Sequence, residues 1–175
     1  MNLPPYDTFP KLSGDNILLR EIHHADIKDI VEISRYDAIP AKSVAEAAAM
    51  QEKINQNYKD GNSIHWGIVD KATNSIVGTC GYYRGLDKGE AELGCILLPQ
   101  FKGQGFMTAA IQLAVQFGLN DIGLKRIFAI TTQQNDKAIR LLEILGFVKI
   151  ADLEEDEIEF ELDITAGGYS ITNTP

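Results

Sequence analysis

Cysteine, histidine and tryptophan are scarce in this chain, with two, three and one copies among 175 residues. Cys80 and Cys95 fall in strand-like runs and make no metal or redox spacing, so they are expected as small buried residues, and no metal is expected. A cysteine nucleophile would need a histidine partner, and His23, His24 and His65 offer no recognisable pairing, which argues against covalent catalysis. No apolar run approaches the roughly 20 residues that span a bilayer, and the N-terminus lacks a charged-then-apolar signal region; a cytoplasmic protein with no membrane partner is expected. Basic residues are also few: 16 Lys and Arg stand against 25 Asp and Glu, a formal net charge of −9. That balance argues against nonspecific nucleic-acid binding, whose affinity comes largely from Lys and Arg neutralising phosphates.

What is present suits one domain over residues 1–175, since a chain of this length buries roughly 70% of the surface it exposes unfolded. Asn16 to Ile22 alternates as a first strand, and Ile27, Ile30, Val31 and Ser34 mark one face of a short helix. A second helix opens on the capping box Ser43-Val44-Ala45-Glu46 and stops at Gly61. Three strand-like runs follow, Ile64 to Val69, Ile76 to Tyr83 and Glu90 to Leu98, whose connections predict two hairpins. Arg126 to Thr131 predicts a further strand, then comes a helix capped by Asn135 and ended by Gly146. The segment Glu157 to Asp163 alternates strictly, apolar on one face and acidic on the other. It belongs to a stretch, residues 152–163, that carries eight carboxylates: a solvated strand face, or a rim that steers a cationic partner. The tail, residues 164–175, is small, polar and expected to be mobile. The order of elements calls for a mixed α/β domain of the α+β kind, with an antiparallel first half, one right-handed strand–helix–strand crossover from Glu90 to Thr132, and helices on both faces of the sheet.

The densest signal lies at that crossover. Gln100-Phe101-Lys102-Gly103-Gln104-Gly105 hands a strand over to a helix whose apolar positions Met107, Ala110, Ile111, Ala114 and Val115 recur at helical spacing. A loop placed there presents unpaired N–H groups and the positive end of the helix dipole, and its glycines let an anion approach the main chain. A dinucleotide loop would need a third glycine and a triphosphate loop a closing Gly-Lys-Ser/Thr; neither is present. A tight turn that uses glycine only for geometry is the remaining alternative.

The loop resembles the acetyl-coenzyme A loop of the GCN5-related N-acetyltransferases, Gln/Arg-x-x-Gly-x-Gly/Ala, through Gln100, Gly103 and Gly105. Further segments are similar to the branch typified by ribosomal-protein alanine acetyltransferases: Leu18-Leu19-Arg20 with Asp26 and Ile27, Trp66-Gly67-Ile68-Val69 with Ile76-Val77-Gly78, Ala91-Glu92-Leu93-Gly94, and Asn135 followed by Leu141-Leu142-Glu143 and Leu145-Gly146-Phe147. The resemblance covers residues 16–163. It implies a single-domain fold whose central strands splay apart, with a bulge at Gly94, so that the pantetheine arm of acetyl-coenzyme A pairs with the main chain of about Cys95, Ile96, Leu97 and Leu98. The pyrophosphate would rest on the N–H groups of Lys102, Gly103, Gln104, Gly105, Phe106, Met107 and Thr108. Asn135 would hold the arm, or act simply as a helix cap, and Lys137 or Arg140 would approach the adenosine phosphates.

The implied reaction moves acetyl to a primary amine, of a peptide N-terminus or of a small molecule such as a polyamine, amino acid or amino sugar. Glu92 is the candidate base that takes the amine's proton, a structural strand residue being the other reading, and a main-chain N–H near Ile96 would meet the oxyanion. One departure concerns the leaving thiolate. Relatives place a Ser three residues after the Asn, or a Tyr seven after it, where this chain has Ala138 and Leu142. Tyr82, Tyr83 and Thr132 are the remaining donors, although a thiol pKa of about 8.5 makes the thiolate a tolerable leaving group. The same departure suits a catalytically silent coenzyme A-binding module. A monomer is expected, or a homodimer through an edge strand such as Glu157 to Asp163, whose acid would resist self-pairing.

Overall fold

The computed structural model describes residues 1–165, and from residue 166 onward the predicted mobile tail lies outside the described residues. Ten strands and three α-helices follow in the order β1 (Leu12–Ser13), β2 (Ile17–Arg20), β3 (Arg35–Tyr36), β4 (Ile39–Pro40), α1 (Val44–Lys59), β5 (Ile64–Asp70), β6 (Ser75–Tyr82), β7 (Glu90–Leu97), α2 (Phe106–Phe117), β8 (Arg126–Thr132), α3 (Asp136–Ile144), β9 (Phe147–Asp152) and β10 (Glu157–Leu162). Eight of the strands form one sheet in the order β1-β2-β5-β6-β7-β8-β10-β9, and β3 with β4 makes a separate small hairpin. Every pairing in the large sheet is antiparallel except β7 with β8, the predicted crossover. The mixed, mostly antiparallel sheet with helices agrees with the sequence reading.

One helix cap and one strand turn behave as their residues demand. The Ser43 hydroxyl accepts from the Glu46 N–H at 3.2 Å, and the Glu46 carboxylate reaches back to the Lys42 N–H at 2.8 Å, one residue beyond the standard box. The β5–β6 turn is closed by Asp70, whose carboxylate accepts from the Ala72 N–H and the Thr73 hydroxyl. The predicted helix at residues 27–34 is instead two 3₁₀ turns, His24–Asp29 and Val31–Ile33. Ile27, Ile30 and Ile33, all buried, recur every three residues, which is the period of a 3₁₀ rather than an α-helix.

The main core lies between one face of the sheet and helices α2 and α3. Trp66 and Tyr82 are fully buried there, and the Tyr82 hydroxyl donates to the Ala114 carbonyl at 2.7 Å, tying β6 to α2. A smaller cluster of Ile22, Ile30, Ile33, Ile76 and Leu98 closes part of the opposite face.

Two expectations need correction. The acidic strand β10 is not an edge: it lies between β8 and β9, and β9 forms that margin of the sheet. Its acid is drawn inward by Arg126 on β8, whose guanidinium meets Glu161 at 2.7 Å, Glu90 at 3.0 Å and Glu159 as well. Burial opposes the Arg126 charge, yet the hydrogen bonds it donates to Glu161, Glu159 and Glu90 outweigh it and raise its pKa. Gly94, in turn, forms no bulge in the ladder between β6 and β7, whose register runs unbroken from Tyr82↔Leu93 to Gly78↔Leu97. Its lack of a side chain makes room for a ring, as described below.

Candidate active site

The sheet opens at its centre. Strands β7 and β8 pair over only Glu90↔Arg126, Ala91↔Ile127 and Glu92↔Phe128, after which β7 continues with β6 while β8 stays with β10. The Tyr83 N–H donates to the Glu92 carbonyl at 3.0 Å, and the Leu98 N–H donates to the Val77 carbonyl at 2.9 Å. Strand alternation between these points turns the main-chain groups of Gly94 and Ile96 toward β6 and those of Leu93, Cys95 and Leu97 toward the opening. Of the four predicted strand residues, Cys95 and Leu97 therefore face the gap; Ile96 does not present its own N–H there, and Leu98 has spent its N–H on Val77.

Just beyond this opening comes the glycine loop. Gly103 and Gly105 adopt φ of +79° and +84°, and a Cβ on either would meet nothing within 4 Å. Among the described residues no acceptor is found for the N–H groups of Gly103 through Thr108, since the first helical bond of α2 runs from Ala109 to the Gly105 carbonyl at 3.1 Å. The loop is braced by the Gln104 side chain, which donates to the Gln100 carbonyl at 3.0 Å, and by edge-to-face contact of Phe101 with Phe106. Six N–H groups without acceptors at a helix start are the arrangement that anion binding requires. Lys102 is exposed at its margin. Asn135 caps α3 through its side-chain oxygen, which accepts from the Ala138 N–H at 3.3 Å, while Lys137 and Arg140 are exposed on α3.

On the sheet face opposite the main core, β5, β6 and β7 form one wall of a cavity of about 840 Å³, with α1 and the 3₁₀ segment across from it. Glu92 lines this cavity and is paired with Arg84. Its neighbours on the wall include His65, Thr79 and Tyr83. The charged residues around the cavity are two and two: Arg35 and Arg84 against Asp37 and Glu92.

His65 and Tyr83 were not legible as a pair, because eighteen positions separate them; their ring centroids stand 5.5 Å apart. The only local signal was small or polar residues at His65 and Gly67, alternating with apolar ones on the same strand. Burial lowers the His65 pKa from 6.5 to about 4, so the ring is neutral, and its Nδ1 has no partner among the described residues. Between those two values the unfolded chain binds the proton and the folded one does not, so stability falls as pH drops through the window. His65→Gln should abolish this slope. Wild type is expected to lose about 3 kcal/mol more than the variant between pH 7 and pH 4 in urea melts, because each pH unit inside the window costs about 1.36 kcal/mol. Equal losses would show that His65 is free to protonate in the fold.

Cys95 lies opposite Cys80, and a hydrogen bond with Cys80 followed by burial pushes its thiol up, away from the nucleophilic thiolate. Among the described residues no group of three or more His, Cys, Asp or Glu is placed to hold a metal, and no helix is long and apolar enough to cross a membrane.

Comparison with known proteins agrees with this geometry. The model of the acetyltransferase (GNAT) domain matches residues 16–148. The uncharacterized N-acetyltransferase YoaA of Bacillus subtilis is 31% identical over 149 residues, covering 81% of this chain and 84% of its own. The ribosomal protein uS5 alanine N-acetyltransferase of Escherichia coli is 24% identical over 79% of this chain and 78% of its own. In fold, the chain is similar to a dodecameric spermidine N-acetyltransferase of Vibrio cholerae, with a TM-score of 0.71 and 23% identity over 84% of this chain and 93% of that one.

Proposed function

Because this chain belongs to the GNAT acetyltransferase family, whose members use acetyl-coenzyme A, we propose that it transfers acetyl from acetyl-coenzyme A directly to the primary amine of a peptide N-terminus or of a small molecule. The observation that carries this reading is the alignment of three features along β7: a strand edge left open at Cys95 and Leu97, the unpaired N–H groups of residues 103–108 just past its end, and Glu92 on the wall of a cavity at its side. The pantetheine arm adds to the open edge as an extra strand would, and the pyrophosphate rests on the loop and the start of α2, beside Lys102. Asn135 offers its remaining side-chain N–H groups to the arm, and Lys137 and Arg140 supply positive charge for the adenosine phosphates.

The amine attacks from the cavity. A protonated amine has no lone pair to attack with, so Glu92 takes its proton, directly or through water, and the Arg84 guanidinium must share the carboxylate as it does so. The tetrahedral oxyanion is met by the N–H of Cys95 or Leu97, a reading supported by the register that turns their main-chain groups, and not those of Ile96, toward the opening. The equal numbers of Arg and acid around the cavity favour an acceptor whose amine is its principal positive charge. A polycation would find only Asp37 and an already paired Glu92, in spite of the likeness to spermidine acetyltransferases.

The test is incubation with acetyl-coenzyme A and a pool of N-terminal peptides, amino acids, amino sugars and polyamines, with free thiol and acetylated products followed by mass. Cosubstrate binding without turnover of any amine would favour a silent module, and failure to bind it would sink the whole reading. Glu92→Gln should lower kcat by about 10²-fold, the lower range for a general base, and leave the Kd for acetyl-coenzyme A nearly unchanged. An unaltered rate and pH profile would remove Glu92 from the reaction.

A further inference from the structure

We propose that Tyr83 is a catalytic residue of this transfer: its phenol donates a hydrogen bond to the thioester sulfur as the carbon–sulfur bond breaks, with the ring held over Gly94 by His65. The inference rests on the function proposed above and addresses the group that Ala138 and Leu142 leave missing.

The sheet is hollowed to seat this side chain. Gly81 and Gly94 face each other across β6 and β7. A Cβ at Gly94 would stand 2.3 Å from Tyr83 Cε2 and 3.2 Å from Cζ, and one at Gly81 would stand 2.9 Å from His65 Cδ2. The Cε2 edge of the ring therefore lies over Gly94, one residue before Cys95, whose main chain faces the opening. The two neighbouring tyrosines differ in what their oxygens do. Tyr82 is fully buried and donates to Ala114, as an interior tyrosine is expected to find a partner. Tyr83 lines the cavity, is 41% exposed, and its hydroxyl has no hydrogen-bond partner among the described residues.

The chemistry favours a hydrogen bond over proton transfer. Packing of the ring against the sheet, then the neighbouring Cys80, Cys95 and Glu92, raise the phenol above its ordinary pKa of about 10, so Tyr83 is protonated at neutral pH. The amine nitrogen bonds to the acetyl carbon, the electron pair of the carbon–sulfur bond goes to sulfur, and the Tyr83 proton stays on its oxygen while stabilising the new thiolate. One proton leaves the ammonium through Glu92 before attack, the second leaves the nitrogen to water as the tetrahedral intermediate collapses, and the thiolate takes a proton from that water.

Tyr83→Phe keeps the ring and removes only the oxygen. It should lower kcat by about 10²-fold, as loss of one preorganised donor does, with the KM for acetyl-coenzyme A essentially unchanged and the shape of the pH–rate profile retained. An unchanged kcat would reduce Tyr83 to packing and overturn the proposal. An alkaline limb in wild type that vanishes in Tyr83→Phe would also overturn it, by making the phenol a proton donor. As a positioning residue, His65 is tested by a cycle: His65→Gln should lower kcat in wild type and add no loss to Tyr83→Phe, whereas additive losses would refute its role in holding the ring. If wild type binds acetyl-coenzyme A and acetylates no amine in the pool, the proposed function fails and this inference with it. If wild type acetylates an amine and Tyr83→Phe does so equally well, this inference alone fails.

Discussion

Gly105→Val should raise the KM for acetyl-coenzyme A by about 10³-fold while leaving the KM for acetyl-pantetheine, which lacks the diphosphate, little changed. The expectation comes from the loop's geometry. Gly105 sits at φ +84°, a left-handed conformation that a β-branched residue resists by roughly 1–2 kcal/mol, and a Cβ there meets no protein atom within 4 Å. The substitution therefore strains the loop without colliding with the core, so the fold should survive. What it disturbs is the set of N–H groups from Gly103 to Thr108. Hydrogen bonds to a charged group contribute about 1.5–3 kcal/mol each, so losing two costs about 3–6 kcal/mol, or 10² to 10⁴ in affinity. Steady-state kinetics with both thioesters separates the possibilities. An equal loss for both would mean that the loop shapes the site as a whole and holds no diphosphate.

The second large effect concerns stability. Trp66→Ala should destabilise the fold by about 4 kcal/mol, as truncations of large buried aromatic residues do, and lower Tm by roughly 8–16 °C for a chain of this size. Trp66 is fully buried on β5, its ring meets Phe117 edge-on at 5.5 Å and Tyr82 at 6.2 Å, and its indole N–H donates to the Pro10 carbonyl at 3.0 Å. One side chain thus joins the N-terminal segment, the central sheet and the end of α2. The alanine variant opens a void among all three and leaves the Pro10 carbonyl without its donor. Trp66→Phe should lose less, because most of the ring volume remains. Urea melts followed by circular dichroism check both variants; a loss below about 1 kcal/mol for alanine would mean that the surroundings collapse freely into the space.

Much of this architecture was legible in the chain itself. The glycine loop, the Ser43 box, the Asn135 cap and the alternation of the central strands are short-range patterns, and each forms where its residues predict. Legibility ended where distant segments meet. The three-residue spacing of Ile27, Ile30 and Ile33 was present in the chain, but choosing 3₁₀ turns over an α-helix required knowing that Ile30 and Ile33 must close the face beside Ile76 and Leu98. The row of acid on β10 looked like an exposed edge because its counter-charge, Arg126, lies more than thirty positions away.

The candidate site divides along the same line. The residues of the loop and the strand before it could be named from spacing and resemblance, since a glycine with positive φ and an uncapped helix start are local consequences of sequence. Three features belong to the tertiary structure alone: the short pairing of β7 with β8 that leaves Cys95 and Leu97 facing an opening, the pairing of Arg84 with Glu92, and the ring of Tyr83 over Gly94 beside His65. By itself, then, the sequence determined the central strands with their helices, the glycine loop at a helix start and the family. Only the folded sheet decided which main-chain groups are free and which side chains share a cavity, because backbone angles depend on near neighbours, whereas register and burial depend on which strands lie side by side.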